Sequence, residues 1–102
     1  MYSYSLNTPT LGTATIKMHK EALGGKDAMH FANIIKIIPN DIKILLLDMS
    51  QLELINSSGL GMLTKANNDL KTKNIKLVLS SVNKNVMHLL EITQLNKIFT
   101  IK

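Results

Sequence analysis

A chain of 102 residues, of which 45% are hydrophobic, is long enough to form one domain with its own buried core. It has no cysteine, which excludes disulfide bonds and thiolate metal ligands. No apolar run approaches the roughly 20 residues that cross a bilayer, and the first residues do not form a secretory signal. The sequence therefore predicts a soluble, cytoplasmic protein without a membrane span.

The net charge of +5 comes from 12 basic and 7 acidic residues, and every basic residue is a lysine. The lysines are scattered along the chain, as at Lys17, Lys36, Lys43, Lys65, Lys76, Lys84 and Lys97. Bidentate recognition of bases and phosphates favours arginine. The charge pattern therefore favours a solvated surface or an acidic protein partner over direct binding of nucleic acid.

The N-terminal part alternates apolar and polar residues in two segments, 2–7 and 13–19, which predicts an antiparallel pair of strands at one end of a sheet. Thr8-Pro9-Thr10 is expected to break the first strand, and Gly12 to close the turn. Residues 20–25 form a connection. A helix then follows from Ala28 and ends at residues 39–41. Its apolar stripe leaves out Ile37 and comprises Ala28, Phe31, Ile34, Ile35 and Ile38.

Residues 42–49 are nearly all apolar, as in a strand that is covered on both faces. Asp48 falls at the end of this strand. A carboxylate there invites comparison with a phospho-accepting receiver domain, but that fold needs a further acidic cluster near its first strand. We therefore interpret Asp48 as a carboxylate that ties or caps the following loop.

The stretch Ile55-Asn56-Ser57-Ser58-Gly59-Leu60-Gly61 leads from this strand into a helix predicted from Ser58 to about residue 73. Either Asn56 or Ser57 can cap the helix. Glycines in a first turn indicate either tight packing of the helix on a strand or close approach of a partner. An exposed serine at such a helix start can carry a phosphate in a favourable field.

The rest of the chain continues to alternate between helix and strand. Leu60, Leu63, Ala66 and Leu70 share one helical face, and Asn74 is expected to end the helix. A strand at 75–79, a helix at 83–92 and a strand at 98–101 follow. The predicted fold is a single α/β domain over residues 1–102, with a mixed, mostly parallel sheet and helices packed on it.

Two motifs resemble a known family. Leu45-Leu46-Leu47-Asp48-Met49-Ser50, followed by Ile55-Asn56-Ser57-Ser58-Gly59-Leu60-Gly61-Met62-Leu63, is similar to the strand ending in Asp-Leu-Ser and the Asp-Ser-Ser-Gly-Leu-Gly motif of STAS domains in anti-sigma factor antagonists. Residues 89–99 are similar to that family's helix end, Thr-Gly-Leu turn and final strand. Asn56 stands where the family usually has aspartate, and Gln94 where it has glycine.

This resemblance implies a regulator that works by partner switching. The unmodified protein would bind an anti-sigma factor that is also a serine kinase, and so release the sigma factor. The kinase would phosphorylate the serine after the motif's first residue, here Ser57, and a serine phosphatase would restore the binding form. The resemblance implies that the docking rim comprises Asn56, Ser58, Gly59, Leu60, Gly61 and Met62.

Other functions receive less support from the sequence. A STAS adaptor or scaffold subunit of a transporter or sensory complex would use the same helix start without a phosphate cycle. An enzyme is disfavoured, because Ser57 lies outside a Gly-x-Ser-x-Gly motif and His19, His30 and His88 lack metal-ligand spacing. A nucleotide pocket at the strand ends would lack a glycine-rich phosphate loop. We therefore expect no catalytic residue, no metal and no cofactor.

Overall fold

The computed structural model of the chain describes residues 4–10, 12–22, 26–39 and 41–102. The strands are β1 (Tyr4–Thr10), β2 (Thr13–Met18), β3 (Glu21–Ala22), β4 (Ile44–Asp48), β5 (Leu54–Ile55), β6 (Lys76–Ser80) and β7 (Thr100–Ile101). The helices are α1 (Lys26–Ile37), α2 (Ser57–Thr72) and α3 (Lys84–Ile92), and a short 3-10 turn covers Leu95–Lys97.

Five strands form one sheet in the order β1-β2-β4-β6-β7. β1 is antiparallel to β2, and the other pairs are parallel. The two-residue strands β3 and β5 pair with each other in a separate parallel ladder. This confirms the predicted α/β fold with a mixed, mostly parallel sheet and an antiparallel strand pair at its edge.

Only one face of the sheet carries the core. The inward-facing residues of β2, β4 and β6 are buried together with residues of all three helices: Ala14, Ile16, Leu45, Leu47, Leu77, Leu79, Phe31, Leu63 and Leu90. On the other face Leu46 is half-buried and Ile44 is 39% exposed. The prediction that residues 42–49 are covered on both faces is therefore wrong, because no second layer of helices covers the described part of the outer face.

The predicted helical faces are confirmed. In α1, Ile37 is 70% exposed, as expected for a residue away from the apolar stripe. In α2, residues Leu60, Leu63, Ala66 and Leu70 are buried. The helix ends at Thr72 with Lys73 as its C-cap, one residue before the expected Asn74, which follows with a φ of 60° in the left-handed region. Asn74 and Ile75 donate their N–H groups back to Lys71 and Leu70, which satisfies carbonyl oxygens of the last turn.

Three connections differ from the sequence prediction. β1 continues through the expected break to Thr10, but its register with β2 shifts between Asn7 and Thr10, where Pro9 offers no N–H. The predicted connection at 20–25 contains β3, which is too short to show a periodic pattern. Residues 2 and 3 of the predicted first strand lie outside the described residues, as do residues 1, 11, 23–25 and 40.

The last strand is shorter than predicted, because Ile98 still has helical backbone angles as the C-cap of the 3-10 turn that follows Gln94. Gln94 has φ 60° and ψ 15°, a left-handed conformation at the end of α3. A side chain in this conformation meets a steric penalty that glycine avoids. The family that the sequence resembles has glycine at this position, so the structure gives a physical reason for that preference.

We predict that Gln94→Gly raises the free energy of unfolding by about 0.5–1 kcal/mol, because glycine removes the left-handed penalty. Gln94→Ala is the matched control: it keeps the Cβ and should change stability by less than about 0.5 kcal/mol. Urea denaturation of the three proteins checks this. Equal stabilisation by alanine and glycine would show that the Gln94 side chain, and not its backbone, is unfavourable.

Candidate functional site

The loop after β4 begins with the carboxylate that was expected to tie it. Asp48 Oδ1 accepts a hydrogen bond of 3.0 Å from the backbone N–H of Ser50. This bond is the main reason why the pKa of Asp48 is lowered, and the Ser50 hydroxyl and the charge of Lys17 lower it further against a partial desolvation. The loop-tying interpretation of Asp48 is confirmed.

The segment that enters α2 is fixed by hydrogen bonds to two other parts of the chain. Glu53 and Leu54 both donate their N–H groups to the carbonyl oxygen of Lys20, at 2.8 and 2.9 Å. Asn83 Nδ2 donates to the carbonyl oxygen of Leu52 at 2.6 Å, while Asn83 Oδ1 caps α3. Leu52 is completely buried. The start of α2 therefore has a position set by β3, by α3 and by the core.

Asn56 caps α2. Its Oδ1 accepts the N–H of Gly59 at 2.8 Å, and its carbonyl oxygen accepts the N–H of Leu60 at 2.9 Å. Ser57 is consequently the first helical residue, and its hydroxyl is not needed as the cap. Of the two caps that the sequence allowed, the structure selects Asn56.

The first turn of α2 is electropositive. The unpaired N–H groups of a helix start are equivalent to about half a positive charge. The first turn contains no acidic residue that would neutralise this field. Asn56, which occupies the position of the family's usual aspartate, adds no charge either. An anionic group attached to Ser57 would therefore meet a favourable field.

The structure divides the predicted docking rim into an exposed and a buried part. Asn56, Ser57, Ser58 and Gly61 are exposed. Gly59, Leu60 and Met62 are buried, and Leu60 and Met62 are only 6% and 7% exposed. Leu60 belongs to the core, and Met62 lines a groove between α1 and α2. A partner that approaches this surface can touch Asn56, Ser58 and Gly61 around Ser57, whereas the buried residues shape the turn from below.

Gly61 has no packing role within the molecule. A Cβ atom built at this position would meet no heavy atom within 4 Å. The idea that the glycines only permit tight packing of helix on strand therefore does not account for Gly61. A glycine in a helix costs about 0.5–1 kcal/mol relative to alanine, so its presence on an exposed face suits close approach of another molecule.

Leu54 is a candidate contact that the sequence analysis missed. It lies two residues before the cap, in β5, and is 52% exposed. Its neighbour Ile55 is half-buried and packs against the core. A two-residue strand is too short for its alternation to show which side chain faces outward, so the sequence carried no signal for Leu54.

The other candidate features lie elsewhere or are not assembled. His19, His30 and His88 belong to different parts of the fold, and the described residues contain no group of three or more potential metal ligands among His, Cys, Asp and Glu. The groove between α1 and α2 has a volume of about 220 Å³ and is lined mainly by apolar residues. Within the described part of the chain, no helix is long and apolar enough to cross a membrane.

Solved structures with the same fold include two kinds of protein. The chain superimposes with a TM-score of 0.79 and 20% identity on a putative anti-sigma factor antagonist from Thermotoga maritima, covering 96% of this chain and 84% of that one. The anti-sigma factor antagonist SpoIIAA in its unphosphorylated form superimposes with a TM-score of 0.73 and 15% identity, covering 97% of this chain and 86% of that one. The phosphorylated form of SpoIIAA from Bacillus has the same fold. A sulfate transporter family protein from Wolinella succinogenes superimposes with a TM-score of 0.77 and 17% identity, covering 93% of this chain and 80% of that one.

At these identities the structural likeness shows the fold. A comparison with curated proteins found no match. The sequence model of the STAS domain, in contrast, matches residues 12–102, which include β2 to β7 and the whole candidate site. The chain belongs to the STAS domain family.

Proposed function

We propose that this protein is an anti-sigma factor antagonist that binds an anti-sigma factor with serine kinase activity and is released when that kinase phosphorylates Ser57. A serine phosphatase would restore the binding form. The observation that carries the proposal is the first turn of α2, where an exposed Ser57 adjoins the exposed Ser58 and a glycine that the fold itself does not require. The protein acts by binding, without a cofactor and without direct contact to nucleic acid.

A phosphate on Ser57 is compatible with the fold. Gly59 N–H is already bonded to Asn56, so a phosphate on Ser57 would leave the cap intact. The first-turn field favours a group with nearly two negative charges. The serine is exposed, so the phosphate would remain hydrated. We therefore expect modification to change the surface and not the structure beneath it.

The same phosphate is incompatible with a partner that covers this turn. The exposed residues that a partner would cover beside Ser57, namely Ser58, Gly61 and Leu54, have small or apolar side chains without charge. A partner that fits this surface would have to desolvate the phosphate without a built-in countercharge, which is strongly unfavourable. This difference between the two forms is the physical basis of the proposed switch.

A second candidate is a STAS adaptor or scaffold subunit without a phosphate cycle. The likeness to a sulfate transporter family protein supports it, as does the amide of Asn56 in place of the family's usual carboxylate. The same exposed turn would then dock permanently on a component of a transporter or sensory complex. The two candidates differ in what Ser57 does, so substitution of Ser57 separates them.

Ser57→Asp is expected to reduce capture of the partner at least tenfold, whereas Ser57→Ala should retain it, because only the first places a charge in the interface. Ser58→Asp is the matched control: it adds the same charge at the rim and should reduce capture much less, because Ser57 is the acceptor position that the family resemblance implies and the partner must distinguish hydroxyl from phosphate there. Affinity capture from host lysate with all four baits, quantified by mass spectrometry, measures this. The partner should be an ATPase-type serine kinase.

Two results would contradict the phosphorylation switch. Equal losses for Ser57→Asp and Ser58→Asp would remove Ser57 as the specific acceptor position. If instead all baits bring down the same transporter or scaffold component, the phosphate cycle is wrong here and the adaptor function stands.

Asn56→Asp is expected to raise the rate of phosphorylation by the captured kinase, because it restores the carboxylate that the family usually has beside the acceptor serine. Aspartate caps a helix about as well as asparagine, so thermal stability should change little. The rate of phosphate incorporation from radiolabelled ATP gives the answer, with Asn56→Ser as an uncharged capping control. An unchanged rate with a stable Asn56→Asp protein would refute this role of the missing carboxylate.

Gly61→Ala separates stability from binding. Since a Cβ fits at this position, the variant should be more stable by about 0.5–1 kcal/mol in urea denaturation. It should nevertheless bind the captured partner at least fivefold more weakly in calorimetry, because the methyl group occupies the contact surface. A variant that gains stability and binds as well as wild type would show that the partner does not approach Gly61.

A further inference from the structure

The end of the molecule opposite Ser57 has a distinct composition. There β4, β6 and β7 begin and all three helices end, since each helix runs back from the carboxyl end of the sheet to the start of the next parallel strand. Two backbone bonds connect the strand entries at this end: Lys76 N–H to the carbonyl oxygen of Lys43, and Lys43 N–H to that of Gly12. The side chain of Lys73 joins α2 to α1 by donating to the carbonyl oxygen of Ile35 at 2.9 Å.

The fold gathers at this end lysines that are scattered in the sequence. Six exposed lysines lie there: Lys36, Lys43, Lys71, Lys73, Lys76 and Lys97. We call this set the basic pole. The acidic residues at this end are Asp41 and Glu91. Six positive and two negative charges give this end a net charge of +4, whereas the whole chain has +5. The nearby Lys65–Asp69 ion pair, at 3.2 Å, adds no net charge.

Exposed isoleucines accompany the basic pole. Six large hydrophobic side chains in the described part of the chain are exposed, and four of them lie at this end: Ile37, Ile44, Ile92 and Ile98, at 70%, 39%, 64% and 49% exposure. Lysines near helix ends can be explained by the helix dipole. That explanation accounts for Lys36, Lys71 and Lys73. It does not account for Lys43, which precedes β4, for Lys76, the first residue of β6, or for the isoleucines.

We propose that the basic pole docks this protein on a bilayer surface that contains anionic phospholipids. Lysines attract the headgroups, and the isoleucines between them can enter the boundary between headgroups and acyl chains. The ammonium group of lysine acts as a point charge and needs no fixed partner geometry, which suits a fluid layer of headgroups. Arginine is absent from the chain, and the aromatic residue at this end, Phe99, is 5% exposed, so stacking on nucleic-acid bases is not supported.

Docking through the basic pole would leave the Ser57 surface facing away from the membrane. The two surfaces are at opposite ends of the sheet, so a partner bound at the first turn of α2 would not compete with the lipid. The inference is therefore independent of the proposed function. It adds a location at which the switch or adaptor would operate.

The test uses the whole chain and vesicles in a co-sedimentation assay. We expect binding to vesicles of 70% phosphatidylcholine and 30% phosphatidylglycerol, much weaker binding to pure phosphatidylcholine, and a steep loss as salt rises, since screening shortens the reach of the charges. Each lysine near an anionic surface contributes about fivefold in partitioning. Lys43→Gln/Lys76→Gln should therefore bind about 25-fold more weakly.

Matched variants make the result specific. Lys84→Gln/Lys102→Gln removes the same charge at the carboxyl end of the sheet and should change binding less than threefold. Ile37→Ser should weaken binding several-fold without changing its salt dependence, and Ser57→Asp should leave it unchanged.

Absence of binding to the anionic vesicles overturns the proposal, and so does an equal loss for the two lysine pairs. The protein could instead fail to bind vesicles and be retained on an acidic protein or DNA column through Lys43 and Lys76. That result would assign the basic pole to that other partner and would also overturn the proposal. Since Ser57→Asp acts only at the other end, vesicle binding tests the membrane proposal alone and partner capture tests the proposed function alone.

Discussion

The hydrogen bond from Gly59 N–H to Asn56 Oδ1 determines what the surface around Ser57 can do. Because Asn56 is the cap, Ser57 lies one residue inside the helix and its hydroxyl is not part of the cap. If Ser57 were the cap, a phosphate on it would remove a bond that holds the helix start. The separation of the two roles would let Asn56 stabilise the turn while Ser57 carries the proposed phosphate. The bonds from Asn83 and to Lys20 hold the preceding segment, so the turn has one geometry.

Parallel topology gives the two ends of this molecule opposite characters. Helix starts collect at the carboxyl ends of the parallel strands, where unpaired N–H groups favour an anion. Helix ends and strand starts collect at the other end, together with six of the 12 lysines. The single helical layer also leaves the outer face of the sheet partly exposed, as Ile44 shows. One connection pattern therefore produces both the proposed switch surface and the basic pole.

The sequence predicted what is periodic or local, and missed what arises from distant segments. The stripes of α1 and α2 depend on residues three or four apart, so they could be predicted. For the cap of α2 the sequence allowed either Asn56 or Ser57, and the structure selects Asn56. Strands β3 and β5 contain two residues each and have no readable period. Met62 falls within the motif, yet the helix turns it inward together with Leu60, which the periodicity had already placed on the buried face. The basic pole draws on residues from 36 to 97, which only the fold brings together.

Gly61 and Gln94 are two positions where residue and conformation disagree, in opposite senses. At Gly61 the helix has room for a side chain and none is present. At Gln94 the left-handed backbone suits glycine and a long side chain is present. Each mismatch costs about 1 kcal/mol or less, which a domain with about 5–15 kcal/mol of stability tolerates. Mismatches of this size persist in natural proteins, so they do not by themselves show a further demand on the position. For Gly61 the proposed function supplies a specific reason: a partner surface that approaches the helix backbone itself would leave no room for a methyl group.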